Sequence, residues 1–232
     1  MYLALASASD GPILELACGS GRICIPLEEA GHDVTGVDID KAMLDRARAR
    51  GATKLVEADV TTLELGRRFD LVILGFNSLL VIGNGSAAAQ EAALRTMSRH
   101  LTPDGRAVTD TWLPSDEDLE VYDGREVREW TRTDPATGDE VTKTVSATFD
   151  EQTRRATIHT HFETRNRRVS RRDEVHFPTH EELLKMVESA GLDPQQVAGD
   201  YDMSPLEADS ERVIVVSALG RSSPNWTEEQ PI

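Results

Sequence analysis

Several things are scarce in this sequence. Among 232 residues there are two cysteines, three tryptophans, three tyrosines and five phenylalanines. Cys18 and Cys24 make neither a disulfide framework nor a metal site, and we read both as small buried side chains. No apolar run approaches the roughly 18 to 20 residues of a membrane helix. The opening Met1-Tyr2-Leu3-Ala4-Leu5-Ala6 lacks the basic start and the apolar length of a signal peptide. A cytoplasmic protein is expected. Basic side chains are also few, 25 Lys and Arg against 41 Asp and Glu, for a net charge of −16. Residues 1–123 carry 11 basic and 20 acidic side chains, 178–232 carry 3 and 11, and 124–177 carry 11 and 10. Such a field disfavours nucleic acid and anionic membranes and points to a small-molecule substrate, neutral or cationic. The same acidity equally serves solubility.

What is present is concentrated in residues 13–38. A short apolar run, Ile13-Leu14-Glu15-Leu16-Ala17-Cys18, leads into Gly19-Ser20-Gly21. A helical stretch at 22–30 and a turn come next, then a second apolar run ending at Asp38. Strand, glycine turn, helix, strand and acid is the layout of a mononucleotide-binding unit. Gly19 and Gly21 permit positive φ and close approach of a ligand, and the helix after them favours an anionic group. Asp38 follows Gly19 by 19 residues, near the roughly 20 expected of a ribose-binding acid. Two readings compete. A dinucleotide fold wants G-x-G-x-x-G, and the third glycine is Cys24 here. Glu15 lies inside the strand, where its carboxylate repels a pyrophosphate and suits a ligand that carries an ammonium and a sulfonium.

Glu15-Leu16-Ala17-Cys18-Gly19-Ser20-Gly21 resembles the first motif of class I S-adenosylmethionine-dependent methyltransferases, E/D-x-x-x-G-x-G. The resemblance extends over about 3–112 and 179–219. It implies S-adenosylmethionine as cofactor, S-adenosylhomocysteine as product, and Ala17, Gly19 and Gly21 of the motif at the cofactor. It implies further that Asp59, ending a strand at 55–60, accepts from the adenine amine beside the Val60 N–H; a plain turn aspartate is the alternative. Ile39 and Met43 are placed to sandwich the adenine, with core packing equally open for Met43. Along the continuously apolar run at 69–78, the resemblance sets the Phe76 carbonyl against the methionine amino group and Asn77 near the transferred methyl. Trp112, at the exit of a strand at 106–112, either forms part of a cage for a cationic or ring substrate or packs under the insertion at 121–177. Such enzymes usually begin with helices that fold over the cofactor; residues 2–8 look like the tail of one, so further lid residues upstream are expected.

Helices are expected at 22–30, at 41–50 with Ala42 and Met43 inward, and at 86–101, before a turn at 102–105. From 124 to 178 the pattern becomes alternating, with turn signals between four expected antiparallel strands near 124–133, 140–149, 154–165 and 169–177. In the third, Ala156, Ile158, Thr160 and Phe162 face one way and Thr157, His159, His161 and Glu163 the other. This segment is expected to cover the substrate pocket or to form a homodimer contact. His159 and His161 are candidate bases near neutral pH, as are His176 and His180. No carboxylate or cysteine cluster completes a metal site, so none is expected. Thr179-His180-Glu181-Glu182 is a capping box opening the last long helix, and 212–219 is a terminal strand.

These readings combine into an α/β chain with a Rossmann-like class I methyltransferase sheet, a reversed C-terminal strand and an inserted antiparallel sheet. The expected division is a cofactor-binding core at 1–120 and 178–220, an insertion at 121–177, and a flexible tail at 221–232. The expected reaction moves a methyl group to a small-molecule acceptor, an amine of a secondary metabolite or amino sugar in first place. O- or C-methylation, a nicotinamide-dependent oxidoreductase and a non-catalytic cofactor-binding module are the alternatives.

Overall fold

Strands without a polar face need cover on both sides, and this requirement sets the architecture. The computed structural model describes residues 1–220, and the tail expected at 221–232 lies outside the described residues. In chain order the first half comprises α1 (Tyr2–Ser7), β1 (Ile13–Leu16), α2 (Cys24–Glu29), β2 (Val34–Asp38), α3 (Lys41–Ala49), β3 (Leu55–Glu57), β4 (Phe69–Leu74), α4 (Ser78–Val81), α5 (Ala87–His100) and β5 (Leu101–Trp112). A short α6 (Asp116–Glu120) leads to β6 (Val127–Thr133), β7 (Glu140–Asp150), β8 (Arg155–Thr164) and β9 (Arg167–His176). The chain then returns through α7 (His180–Ser189), β10 (Leu192–Ala198) and β11 (Arg212–Leu219).

Seven strands form one sheet in the order β3-β2-β1-β4-β5-β11-β10. All neighbours pair in parallel except β11, which runs against both β5 and β10. The reversed terminal strand is as expected; its partner β10 carries no alternation that the sequence reading used. Two buried clusters cover the two faces. Leu14, Leu16, Val72 and Leu74 meet Leu94 and Met97 of α5 and Leu183 and Val187 of α7. Ile13, Leu71, Ile73 and Ile214 meet Ala6 of α1, Leu27 of α2 and Leu44 of α3. Full burial of a side chain such as Leu94 contributes about 1.5–3 kcal/mol. Cys18 and Cys24 are free and buried.

The boundaries differ from expectation in physical ways. α3 turns Leu44 and Ala47 inward rather than Ala42, which is exposed, while Met43 is half-buried. Asp40 fixes that phase by accepting from the Ala42 and Met43 N–H groups. β3 ends at Glu57, so Asp59 and Val60 lie in the turn beyond it. The 102–105 turn is a bulge within β5, where the pairing jumps from Phe69–Leu101 to Leu71–Arg106.

The second sheet is an antiparallel meander, β6-β7-β8-β9. Ala156, Val175 and Phe177 pack on Leu80 and Leu119. Beside them the fully buried Gln90 of α5 takes a 2.7 Å hydrogen bond from His176 Nδ1 through its Oε1. Its amide donates to the Leu80 and His176 carbonyls, each at 3.4 Å.

His100 at the end of α5 is held on both ring nitrogens. Nδ1 donates to the Thr96 carbonyl (2.8 Å), and Nε2 accepts from the Leu65 N–H (3.1 Å). Burial pushes its pKa below the ordinary value, and burial does the same at His176. Below the ordinary imidazole value of about 6.5, the unfolded chain takes up protons there that the folded chain refuses. The stability that rests on neutral imidazole is therefore full above that pH and is lost on acidification through the folded values. His100→Gln should flatten part of this slope between about pH 7 and 5 in urea titrations. A slope identical to that of the wild type would show that His100 is not one of the groups responsible.

Candidate functional site

The carboxyl ends of parallel strands and the loops that leave them are where an open α/β sheet presents a crevice. Here they enclose a cavity of about 820 Å³. Its floor is the β1–α2 loop. Gly19 and Gly21 hold φ of +54° and +83°, and Ala17 is also left-handed at +55°, a region that non-glycine residues rarely occupy. Two contacts fix the loop. Asp38 Oδ2 accepts from the Gly19 N–H at 2.7 Å, and Arg50 Nη1 donates to the Ser20 carbonyl at 2.8 Å.

Of the residues expected at a cofactor, Glu15, Ala17, Gly19, Asp38, Ile39, Met43, Asp59, Val60 and Phe76 all line this one cavity. Gly21 stands behind the loop, where an added Cβ would lie 2.6 Å from Ile25 Cδ1; it shapes the turn into α2 and stays out of the lining. Asp38 also accepts from the Asp40 N–H through Oδ1 at 2.8 Å. A carboxylate offers about four lone-pair directions, so each oxygen keeps one for a ligand. Asp59 spends Oδ1 on the Thr61 N–H and hydroxyl, both at 2.8 Å. That is the turn arrangement, and it leaves Oδ2 for a ligand. Ile39 is 68% exposed, an apolar surface with no protein partner in the core.

Glu15 is the unusual member. It is 3% exposed, and its Oε2 accepts from the Cys24 N–H at 2.7 Å. Burial pushes its pKa well above the ordinary carboxylate value, with Cys24 and Asp38 adding to the rise. A cation beside it restores the ionised form. With Asp38, Asp40 and Asp59 in the same lining, the cavity is built for positive charge.

The remaining expected site residues lie elsewhere. In the β8–β9 register Thr160 faces Arg171, His159 faces Arg172 and His161 faces Ser170. Arg171 lines the cavity, so its face of the sheet looks inward. Alternation turns His159 and His161 outward; they stack at 6.5 Å, and His161 Nδ1 lies 2.7 Å from Ser170 Oγ. Trp112 sits edge-on to Phe177, with centroids 5.5 Å apart at 87°, which is the packing alternative. Asn77 Oδ1 accepts from the Trp112 N–H at 2.6 Å, tying the exits of β4 and β5 together. His176 and His180 lie at the base of the insertion and the start of α7. Residues that the sequence reading missed complete the wall. Arg22 stacks on the Phe76 ring at 4.8 Å, and Ser78, Val81, Asn84 and Arg171 also line the cavity. Only the alternation of β9, once paired, marks Arg171.

Residues 13–105 match the family described as "Methyltransferase domain". The chain is 30% identical over 215 residues to a Streptomyces protein named cypemycin N-terminal methyltransferase, covering 88% of this chain and 81% of that one. It is 32% identical over 108 residues to the Streptomyces fradiae dTDP-3-amino-3,6-dideoxy-alpha-D-glucopyranose N,N-dimethyltransferase, covering 46% of this chain and 41% of that one. The fold superposes on the CcbJ methyltransferase from Streptomyces caelestis with a TM-score of 0.81 at 21% identity, over 94% of this chain and 88% of that one. These similarities set aside the nicotinamide alternative.

If Asp38 accepts ribose hydroxyls, Asp38→Ala should weaken S-adenosylmethionine binding by roughly 1 to 3 kcal/mol, read by calorimetry. Unchanged affinity would remove the ribose assignment.

Proposed function

The chain belongs to the S-adenosylmethionine-dependent methyltransferase family, and from that premise we propose that it methylates an amine nitrogen of a small natural product. One observation carries the choice of nitrogen. Among the described residues lining the cavity there is no histidine, lysine or tyrosine. Its carboxylates Glu15, Asp38, Asp40 and Asp59 each already accept from a backbone N–H. Of the insertion's candidate bases, His159 and His161 face away while His176 is bound to Gln90. A hydroxyl or carbon acid must lose a proton to attack, whereas a neutral amine attacks through its own lone pair and sheds a proton to solvent afterwards. The names of the two relatives, an N-terminal methyltransferase and an amino-sugar N,N-dimethyltransferase, agree with nitrogen.

Bound in the cavity, S-adenosylmethionine supplies an electrophilic methyl group on a sulfonium and departs as S-adenosylhomocysteine. The fit rests on the buried Glu15 and on the close backbone approach at Gly19. In this reading Asp38 holds the ribose, Ile39 and Met43 flank the adenine, Asp59 and the Val60 N–H meet its edge, and the Phe76 carbonyl faces the amino group. The protein's part is alignment and exclusion of water, and well-oriented reactants gain about 7 to 11 kcal/mol from alignment. The second sheet with its flanks, 121–177, is treated as an insertion covering the acceptor side of a core at 1–120 and 178–220.

Labelled methyl groups offered with a panel of amino sugars, peptides with free amino termini, phenols and carbon acids should appear on an amine. The rate should rise with pH as the acceptor ammonium loses its proton. Label confined to phenols or carbon would overturn the choice of nitrogen.

No helix among the described residues is long and apolar enough to cross a membrane. Our reading adds a cytoplasmic protein that leaves nucleic acid alone, on the strength of its charge, and that pairs through the inserted sheet. On the inward face of that sheet, beyond the part packed on the core, Val127, Phe162 and Val169 are 60%, 36% and 43% exposed, next to Trp130. Sedimentation should give twice the 25.5 kDa chain mass, and Phe162→Glu should halve it while circular dichroism shows the monomer still folded. A monomeric wild type would rule this contact out.

A further inference from the structure

Outside the cavity lining stands another fully buried carboxylate, Asp110 of β5. Three donors from distant parts of the chain converge on it. The Tyr2 hydroxyl of α1 and the Phe76 N–H (3.1 Å) give to Oδ1, and the Tyr201 hydroxyl, between β10 and β11, gives to Oδ2 at 2.9 Å. Burial pushes the carboxyl up while these three donors pull it back toward the ionised form. The three rings form a triangle with centroids 5.8 Å apart for Tyr2–Phe76 and 6.3 Å for each of the other two pairs.

This cluster reaches the cavity through Gly75 and Phe76, both in the lining. Phe76 and Asn77 are consecutive left-handed residues, at φ +52° and +62°. Such a pair persists only where its surroundings over-determine it. Asp110 does so from one side by binding the Phe76 N–H, and Asn77 does so from the other through its bond to Trp112. Gly75 is required for the same reason, since a Cβ there would stand 2.4 Å from the Tyr2 hydroxyl oxygen and block its path to Asp110.

We infer that Asp110 is a positioning residue for methyl transfer. It fixes the backbone of Phe76 and clamps the first helix, through Tyr2, against the end of the cavity that receives the methionine portion of the cofactor. This rests on the cofactor placement proposed above. It makes the first helix a support behind Gly75 and Phe76, tied there by the Tyr2 hydroxyl in addition to the buried Ala6.

The test compares Tyr2→Phe, Tyr201→Phe, Asp110→Asn and Asp110→Leu. The readouts are melting temperature, S-adenosylmethionine affinity by calorimetry, and KM against kcat with any accepted methyl acceptor. Tyr2→Phe should keep the wild-type melting temperature within a few degrees and weaken cofactor affinity about tenfold, the size of a lost hydrogen bond to a charged group. KM for the cofactor should rise with it, and KM for the acceptor should stay. Asp110→Asn, which still accepts from the Phe76 N–H, should lose less than Asp110→Leu. Joining Tyr2→Phe to Asp110→Leu should add little, because both cut one path. Should Asp110→Leu fail to fold, Tyr2→Phe and Asp110→Asn still decide. Wild-type affinity and kinetics in both would overturn the inference. A wild-type protein that binds no S-adenosylmethionine would instead overturn the cofactor placement beneath it.

Discussion

A carboxylate inside an apolar strand is the constraint around which this protein is arranged. Glu15 sits on β1, which is buried along its whole length, and its charge there is met by one backbone N–H from the first turn of α2. Burying an ionised group without a full complement of partners is costly, and such a group shifts toward neutrality. The fold accepts that cost at the spot where its glycine loop opens. A cationic ligand offsets it, so affinity for positive charge is built into the unliganded protein. The loop, Asp38 and Arg50 then act as struts that keep the opening in register with that charge.

The residues around the cavity were legible because their determinants are local. A parallel strand delivers its last side chains to the sheet rim, so Asp38 and Asp59 could be placed from the end of an apolar run and Glu15 from the motif inside the first one, and the structure gathers them around one cavity. Gly21 shows the limit of motif reading. Its spacing marks a turn, and only the packing of Ile25 against it says which way the turn faces. Asp110 was passed over because its partners lie 34, 91 and 108 residues away. A single acid in an apolar strand was the one signal it gave. On β8 the alternation correctly separated two faces, but choosing the inner one needed the seat of Ala156 and Val175 on Leu80. That contact between remote segments sends His159 and His161 outward.

The join between the two sheets is polar at its centre. Gln90 has no solvent exposure, and its carbonyl and amide are spent on His176 and on the Leu80 and His176 carbonyls. A satisfied buried amide is direction-specific where apolar contacts are not. It therefore ties the end of β9 to α4 and α5 at one fixed point of the join.

The meander has two outer strands, and both are heavily charged. β6 carries Arg128, Glu129 and Arg132, and β9 carries Arg167, Arg168, Arg171 and Arg172. Unpaired backbone along a sheet margin invites extension by a foreign strand, and guanidinium groups along it are a recognised deterrent. The leaf is thus sealed laterally against runaway ribbon growth, while its broad flat side stays available for contact.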